Sequence, residues 1–153
     1  MKQEPVIGHH GHVAESHPSL RSVVLDTTDA RGLAEFYREL LGYEYRPGDQ
    51  PPRAGQPDVR GQDWLVLEDP AGNARLAFQQ VAQLPRSTWP RDGVPQQLHL
   101  DLTVPDVDSL REHEQRARAL GAALLYDRSE DVLEPLYVLS DPAGHPFCIF
   151  VAR

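Results

Sequence analysis

The alternation of apolar and polar residues predicts β-strands along much of the chain. The clearest case runs from Leu98 to Val104, where every second residue is apolar and His99, Asp101 and Thr103 lie between them. A period of two is typical of a strand whose two faces meet different surroundings. Shorter β-branched or apolar runs predict further strands at residues 21–26, 43–46, 64–68, 75–81, 122–126, 136–140 and 146–152.

Two other segments have apolar residues three or four positions apart, which predicts amphipathic helices. The first has Thr28 or Asp29 as its N-cap and Gly42 at its end. Its apolar face consists of Leu33, Phe36, Tyr37, Leu40 and Leu41. The second begins after Asp106 and is closed by Gly121. Its apolar side consists of Val107, Leu110, Ala117 and Leu120.

The order of predicted elements occurs twice. The tetrapeptide Asp-Pro-Ala-Gly stands at residues 69–72 and again at 141–144, each time between two predicted strands, where it is typical of a type I turn. The elements before each turn follow the same succession, so the sequence predicts a duplicated βαβββ unit. Two segments rich in proline, residues 47–62 and 84–97, are predicted loops, and we expect the first to lie over the mouth of a cavity.

Composition narrows the class of protein. The 153 residues suffice for one domain with a hydrophobic core. The net charge of -8 disfavours nucleic acid and anionic lipid as partners. The single cysteine, Cys148, excludes an internal disulfide framework. The sequence shows neither an apolar run of membrane-spanning length nor the apolar core of a signal peptide, so we expect a cytoplasmic protein.

The N-terminal segment, residues 1–19, has little apolar periodicity and is predicted to be a flexible tail. It contains four histidines: His9, His10, His12 and His17. Clustered histidines bind divalent metal ions in some proteins, and in others they belong to an unstructured leader. Both interpretations stay open for this tail.

Three stretches carry a resemblance to a known family: AEFYRELLG at residues 34–42, HLDL at 99–102 and DPAGHPFC at 141–148. Together with the duplicated unit they resemble the vicinal oxygen chelate superfamily, which includes glyoxalase I, bleomycin-resistance proteins and extradiol dioxygenases. The glyoxalase-like branch of bacteria is the most similar. The resemblance implies one α+β domain of two tandem βαβββ modules, about residues 20–83 and 97–153. These modules would form a curved, cup-like mixed sheet with the helices on its outer face.

The resemblance also implies where a metal would be held. In metal-using members the ligands come from the first and last strands of each module. The matching positions here are Ser22, His99, Cys148 and, in the last strand of the first module, Gln79, although the literal count there gives Leu76. Only His99 is a conventional ligand, so we expect a degenerate site that involves His99, alone or with Cys148 and Gln79. A Cys148 thiolate beside His99 would favour zinc, whereas a buried Cys148 would behave as a plain hydrophobic residue.

The ligand is expected inside the cup. If the leucines of residues 98–102 face the helices, then His99, Asp101 and Thr103 point into the cup. Asp101 is either a general base or a carboxylate satisfied by its neighbours. The predicted ligand-binding residues are His99, Asp101, Gln79, Cys148 and Trp64, and no catalytic residue is assigned.

The remaining histidines and aromatic residues have simpler interpretations. His113 is interpreted as a helix-surface residue and His145 as a turn residue. The wall of the cup is expected to include some of the aromatic residues Trp64, Trp89, Tyr126 and Tyr137.

Two functions compete on this basis. In the first, the protein binds a small organic molecule in the cup, as bleomycin-resistance proteins bind their drug, and needs only aromatic walls and a few polar anchors. In the second, it is a metal-dependent lyase, isomerase or dioxygenase that acts on a substrate with vicinal oxygens. Because most conventional ligands are missing, the sequence favours the first. The resemblance further implies a homodimer.

Overall fold

The computed structural model describes residues 18–152, so the histidines of the predicted tail lie outside the described residues. Within that range two α-helices and eight strands follow one another in the predicted order, and a short 3-10 helix, Arg60–Gln62, ends the first predicted loop. They are β1 (Val23–Thr27), α1 (Ala30–Leu41), β2 (Glu44–Tyr45), β3 (Trp64–Glu68), β4 (Ala74–Gln80), β5 (Leu100–Val104), α2 (Val107–Ala119), β6 (Ala123–Arg128), β7 (Leu136–Ser140) and β8 (Pro146–Val151).

The two halves have the same topology. One four-stranded sheet has the order β1-β4-β3-β2 and the other has the order β5-β8-β7-β6. In each sheet the first strand runs parallel to the last strand of its module, and the other neighbours are antiparallel. The two turns share their backbone hydrogen bonds, with Gly72 N–H donating to the Asp69 carbonyl and Gly144 N–H to the Asp141 carbonyl. The predicted α+β fold of two βαβββ modules is confirmed.

The helices begin and end where their capping residues lie. The carboxylate of Asp29 accepts a backbone N–H of the first turn of α1 at 2.9 Å, so Asp29 and not Thr28 is the N-cap. Gly42 ends this helix with φ of 67°, a left-handed conformation that glycine adopts without strain. Asp106 caps α2 in the same way at 2.8 Å, and Gly121 follows its C-terminus.

Aromatic side chains of α1 hold the two modules together. Tyr37 stacks on Phe78 of the first sheet with 5.9 Å between ring centroids. Phe36 meets Phe147 of the second sheet edge-on at 5.9 Å. All four rings are almost fully buried, so one core extends over both sheets. The position of each sheet therefore depends on the same helix.

Strand β5 is shorter than the alternation of residues 98–104 predicts, because it begins at Leu100. Its register with β8 pairs Leu100 with Phe147, which would bring His99 opposite Pro146. Pro146 has no amide N–H to donate, so the ladder stops there. Leu98 and His99 consequently precede the strand.

The segment of residues 47–62 packs closely although it is mostly irregular. The buried carboxylate of Asp49 accepts a backbone N–H of β3 at 3.0 Å and pairs with Arg46 at 2.8 Å. Arg31 of α1 binds Asp58 at 2.7 Å and also donates to the Asp49 carbonyl at 2.8 Å. These contacts fix the loop against α1 and β3.

Candidate ligand-binding site

Two open cavities lie on the faces of the sheets that do not pack against the helices. The first has a volume of about 380 Å³ and is lined by the first module, the connection and the second turn. The second has a volume of about 280 Å³ and is lined mainly by the second module. Gln96 and Pro146 line both cavities, so the connection of residues 84–97 lies between them.

The first cavity combines a mostly apolar wall with a few polar groups. Val24 and Asp26 of β1, Trp64 of β3 and Gln79 of β4 form its floor. They point away from the core because side chains alternate along each strand. Leu25 of β1 also lines the cavity, and the remaining lining residues belong to the connection and the second turn or directly follow them: Leu84, Pro85, Ser87, Pro95, Gln96, Gln97, Leu98, Ala143, Gly144, His145 and Pro146. Leu98, predicted to face the helices, therefore lies in a cavity instead.

The second cavity contains two of the predicted ligand-binding residues, His99 and Cys148, whereas Asp101 is not among its lining residues. Its lining residues are Trp89, Gln96, His99, Tyr126, Arg128, Leu136, Val138, Pro146 and Cys148. His99 and Asp101 are two positions apart, and Asp101 is the parallel partner of Cys148. One donor atom from each of these three residues lies within 4.8 Å of the other two. The Nε2 atom of His99 is 3.5 Å from an Asp101 carboxylate oxygen.

The thiol of Cys148 is held in its protonated form. Burial, followed by the negative charges of Asp101 and Glu134, raises its pKa to about 11. A neutral thiol is a weak ligand and a weak nucleophile, so a metal ion would have to displace its proton. The imidazole, carboxylate and thiolate together nevertheless form a donor set that suits a zinc-like ion.

The second turn positions a histidine that the sequence analysis treated only as a turn residue. The ring Nδ1 of His145 lies 2.9 Å from a carboxylate oxygen of Asp141, whose side chain is buried. The same carboxylate accepts the hydroxyl of Tyr37 at 2.9 Å and the backbone N–H groups of Ala143 and His145. The imidazole itself lines the first cavity.

The structure thus separates the predicted site residues into two groups. It brings His99, Asp101 and Cys148 together, and it places Gln79 and Trp64 in the first cavity. Thr103 lies in neither cavity, because it is four residues beyond His99, about 13 Å along an extended strand.

The other expectations about the lining have mixed outcomes. Tyr126 and Trp89 line the second cavity, whereas Tyr137 is buried. The expectation that residues 47–62 cover a cavity is wrong for both cavities, since none of these residues lines them and the segment is fixed to α1 instead.

Several polar residues of the first cavity were missed from the sequence, among them Asp26, Gln96 and His145. Asp26 and Gln96 carry no recognisable motif. For His145 a signal existed, because the first turn has Asn73 at the corresponding position and the two turns are otherwise alike. A histidine at only one of two equivalent positions indicates a difference between the modules.

No helix within residues 18–152 is long and apolar enough to cross a membrane.

Comparisons with known proteins agree with this architecture. A profile of the family described as "Glyoxalase-like domain" matches residues 22–150. No curated protein sequence matches the chain. Solved structures with the same fold include a glyoxalase/bleomycin resistance protein/dioxygenase family enzyme from Burkholderia phytofirmans, with 19% identity, a TM-score of 0.59, and coverage of 87% of this chain and 98% of that one.

Two further structures are similar. The fosfomycin resistance protein FosX from Listeria monocytogenes has 14% identity and a TM-score of 0.63, over 90% of this chain and 96% of its own. A lactoylglutathione lyase from Agrobacterium tumefaciens has 16% identity and a TM-score of 0.55, over 90% of this chain and 96% of its own. At such identities the likeness shows the fold, and the profile match shows the family. The chain belongs to the glyoxalase-like domain family.

Proposed function

We propose that this protein binds a small organic molecule in the first cavity. The observation that carries the proposal is the cavity itself, which has a volume of about 380 Å³, an apolar wall and a few polar side chains. This combination is typical of small-molecule sites, where apolar surface supplies affinity and isolated polar groups fix orientation. Trp64 and Leu98 offer apolar surface, and Gln79 offers an amide.

The similar structures support a small-molecule function. A FosX structure contains Mn(II) and 1S,2S-dihydroxypropylphosphonic acid, and another similar structure is named a lactoylglutathione lyase. Neither ligand is transferred to this chain, because the identities of 15% and 16% support the fold alone. The shared element is the fold, which in this chain leaves two open cavities on the faces of the sheets away from the helices.

The proposal is tested with a neutral probe and a variant that fills the cavity. The probe, 2-naphthalenemethanol, is small enough for the cavity and is titrated into the protein by isothermal calorimetry. Val24 points into the cavity from β1, so Val24→Trp should lower the affinity at least about tenfold. Val59→Trp is the matched control, since Val59 is 72% exposed and lines neither cavity. Equal affinity in the wild type and Val24→Trp, or an equal loss in both variants, would refute the proposal.

A second candidate function rests on the cluster of His99, Asp101 and Cys148. Its three donor atoms lie within 4.8 Å of one another. The sequence analysis expected Gln79 beside His99 and Cys148, whereas Asp101 takes that place in the cluster and Gln79 lines the first cavity. A divalent ion bound there would act as a Lewis acid toward substrate oxygens. His99 and Asp101 are each about half exposed, so the cluster is open to a substrate. This alternative would make the protein a metal-dependent lyase, isomerase or dioxygenase.

Cobalt titration tests this alternative without interference from the N-terminal histidines. Cys148 is the only cysteine in the chain, so a thiolate-to-cobalt charge-transfer band can arise only from this cluster. We expect the band in the wild type and its loss in Cys148→Ser and His99→Ala. Absence of the band in the wild type at a cobalt excess would refute a metal site that includes Cys148.

The predicted homodimer and cytoplasmic location remain predictions. Sedimentation velocity at micromolar concentration tests the first, and a monomer would contradict it.

A further inference from the structure

The acceptor atoms of the first cavity point to the chemical class of its ligand. His145 contributes the first of them. Its Nδ1 is occupied by the Asp141 carboxylate, and within residues 18–152 its Nε2 has no hydrogen-bond partner. The imidazole lines the cavity, so Nε2 is the ring nitrogen available to a ligand.

The hydrogen bonds around Asp141 determine which nitrogen of His145 carries the proton. The carboxylate accepts two backbone N–H groups and the hydroxyl of Tyr37. Burial, and then the neighbouring carboxylate, raise the pKa of Tyr37 well above its usual value, so this hydroxyl stays protonated and donates. A carboxylate surrounded by donors requires Nδ1–H as its fourth donor. In the neutral ring, Nε2 therefore presents a lone pair to the cavity.

Gln96 and Asp26 add two more acceptors. Gln96 lines both cavities, and its Oε1 atom is buried and has no hydrogen-bond partner within the described part of the chain. A buried acceptor without a donor is costly, so a ligand that brings a donor gains affinity there. Asp26 has no ion-pair or hydrogen-bond partner among the described residues, and its carboxylate lies at the exposed side of the cavity.

The described residues that line this cavity carry no positive charge, since none of them is a lysine or an arginine. The nearby Arg86 packs against the turn and directs its guanidinium to the Pro142 carbonyl at 2.7 Å. A carboxylate, a phosphate or a phosphonate would therefore find acceptors and no counter-charge. An ammonium group carries three donors and a positive charge, so it suits a lining that offers acceptors and a carboxylate and no cation.

We infer that the first cavity selects a cationic amine attached to an apolar body. His145 and Gln96 accept hydrogen bonds from the amine, Asp26 balances its charge, and Trp64 contacts the apolar body. The inference rests on the proposed function, because it assigns a ligand class to the same cavity. The proposed function leaves the charge of the ligand open, whereas the inference predicts that the charge is positive.

Three probes with the same aromatic body test the inference by calorimetry on the full chain. They are 2-(aminomethyl)naphthalene, the neutral 2-naphthalenemethanol and the anion 2-naphthoate. We expect the amine to bind at least about tenfold more tightly than the alcohol, and the anion to bind most weakly.

Two variants identify the acceptors. His145→Asn gives the second turn the residue found in the first, where the Asn73 side chain satisfies Asp69, so the turn is expected to form. It should weaken amine binding about tenfold and change alcohol binding less than about threefold. Asp26→Asn, on the exposed side of β1, should reduce the preference for the amine in the same way. His113→Asn is the matched control, since His113 lines neither cavity.

The possible failures are distinct. If none of the three probes binds, the proposed function is refuted and the inference with it. If the alcohol binds but the anion binds as tightly as the amine, the inference is refuted and the proposed function stands. The inference is also refuted, and the proposed function stands, if His145→Asn and Asp26→Asn both leave the affinity for the amine unchanged. Should His145→Asn fail to fold, Asp26→Asn and Gln96→Leu decide the outcome.

Discussion

The hydroxyl of Tyr37 on α1 donates a hydrogen bond of 2.9 Å to the carboxylate of Asp141 in the turn of the other module. The two residues are 104 positions apart in the chain, and both side chains are buried. The bond therefore joins the first module's helix to the second module's turn. The same carboxylate orients His145 toward the first cavity, so a contact between modules also shapes the candidate site.

Removal of this hydroxyl should destabilise the protein. Tyr37→Phe preserves the ring contacts with Phe78 and Phe147 but leaves a buried carboxylate with one donor fewer. Because a hydrogen bond to a charged group contributes about 1.5–3 kcal/mol, we expect the free energy of unfolding to fall by about 2 kcal/mol. Urea denaturation followed by circular dichroism measures the change.

Tyr45→Phe is the matched control for that measurement. The Tyr45 hydroxyl donates to Glu35 at 2.7 Å, within one module and toward a carboxylate that is 36% exposed. Water replaces the lost donor there, so the loss should stay below about 1 kcal/mol. If Tyr45→Phe costs as much as Tyr37→Phe, the bond to Asp141 has no special role in joining the modules.

The fold was predictable because its signals are local. Alternation, periodicity and caps such as Asp29 and Asp106 act over a few residues, and both caps are confirmed. The repeated turn identified the duplication, and the structure adds the matching strand order. The start of β5 was missed because it depends on the register with Pro146, a residue more than forty positions away.

The site was less predictable because it depends on how the connection of residues 84–97 lies across both sheets. Nothing in the sequence places Gln96 between two cavities or separates Gln79 from His99. The grouping of His99 with Asp101 follows from strand alternation, whereas the addition of Cys148 needs the parallel pairing of β5 with β8. Tertiary packing, not local pattern, decides which side chains share a cavity.

The two equivalent glycines of the turns should differ in their tolerance of a side chain. Gly144 and Gly72 have φ of 98° and 80°, where an L-residue is strained, so each substitution by alanine should cost about 1 kcal/mol or more. A Cβ at Gly144 would also come within 3.1–3.2 Å of Arg86, including its Cβ and Cγ atoms. A Cβ at Gly72 meets nothing within 4 Å. We therefore expect Gly144→Ala to cost about 1 kcal/mol more than Gly72→Ala.

Thermal or urea denaturation of the two variants measures the difference, and Arg86→Ala provides the control. In an Arg86→Ala background most of the crowding at Gly144 is gone, so the two glycine substitutions should cost nearly the same. Equal costs in the wild-type background would show that Arg86 moves aside freely and does not fix the connection on the second turn.

The titration of Cys148 gives a final prediction that involves both reactivity and stability. Burial and the Asp101 carboxylate raise the thiol pKa from its ordinary value of 9.0 to about 11, so alkylation by iodoacetamide should accelerate until about pH 11. Asp101→Asn removes the nearby charge and should lower that pKa, while burial keeps it above 9.0.

The same pKa difference makes the stability of the protein depend on pH. Because the folded state holds the thiol proton more tightly than the unfolded state, the contribution of Cys148 to stability is complete below about pH 9 and is lost as the pH rises to about 11. The free energy of unfolding of Cys148→Ser should therefore fall less over this range than that of the wild type. A thiol that titrates at or below pH 9 in the folded wild-type protein would contradict the prediction.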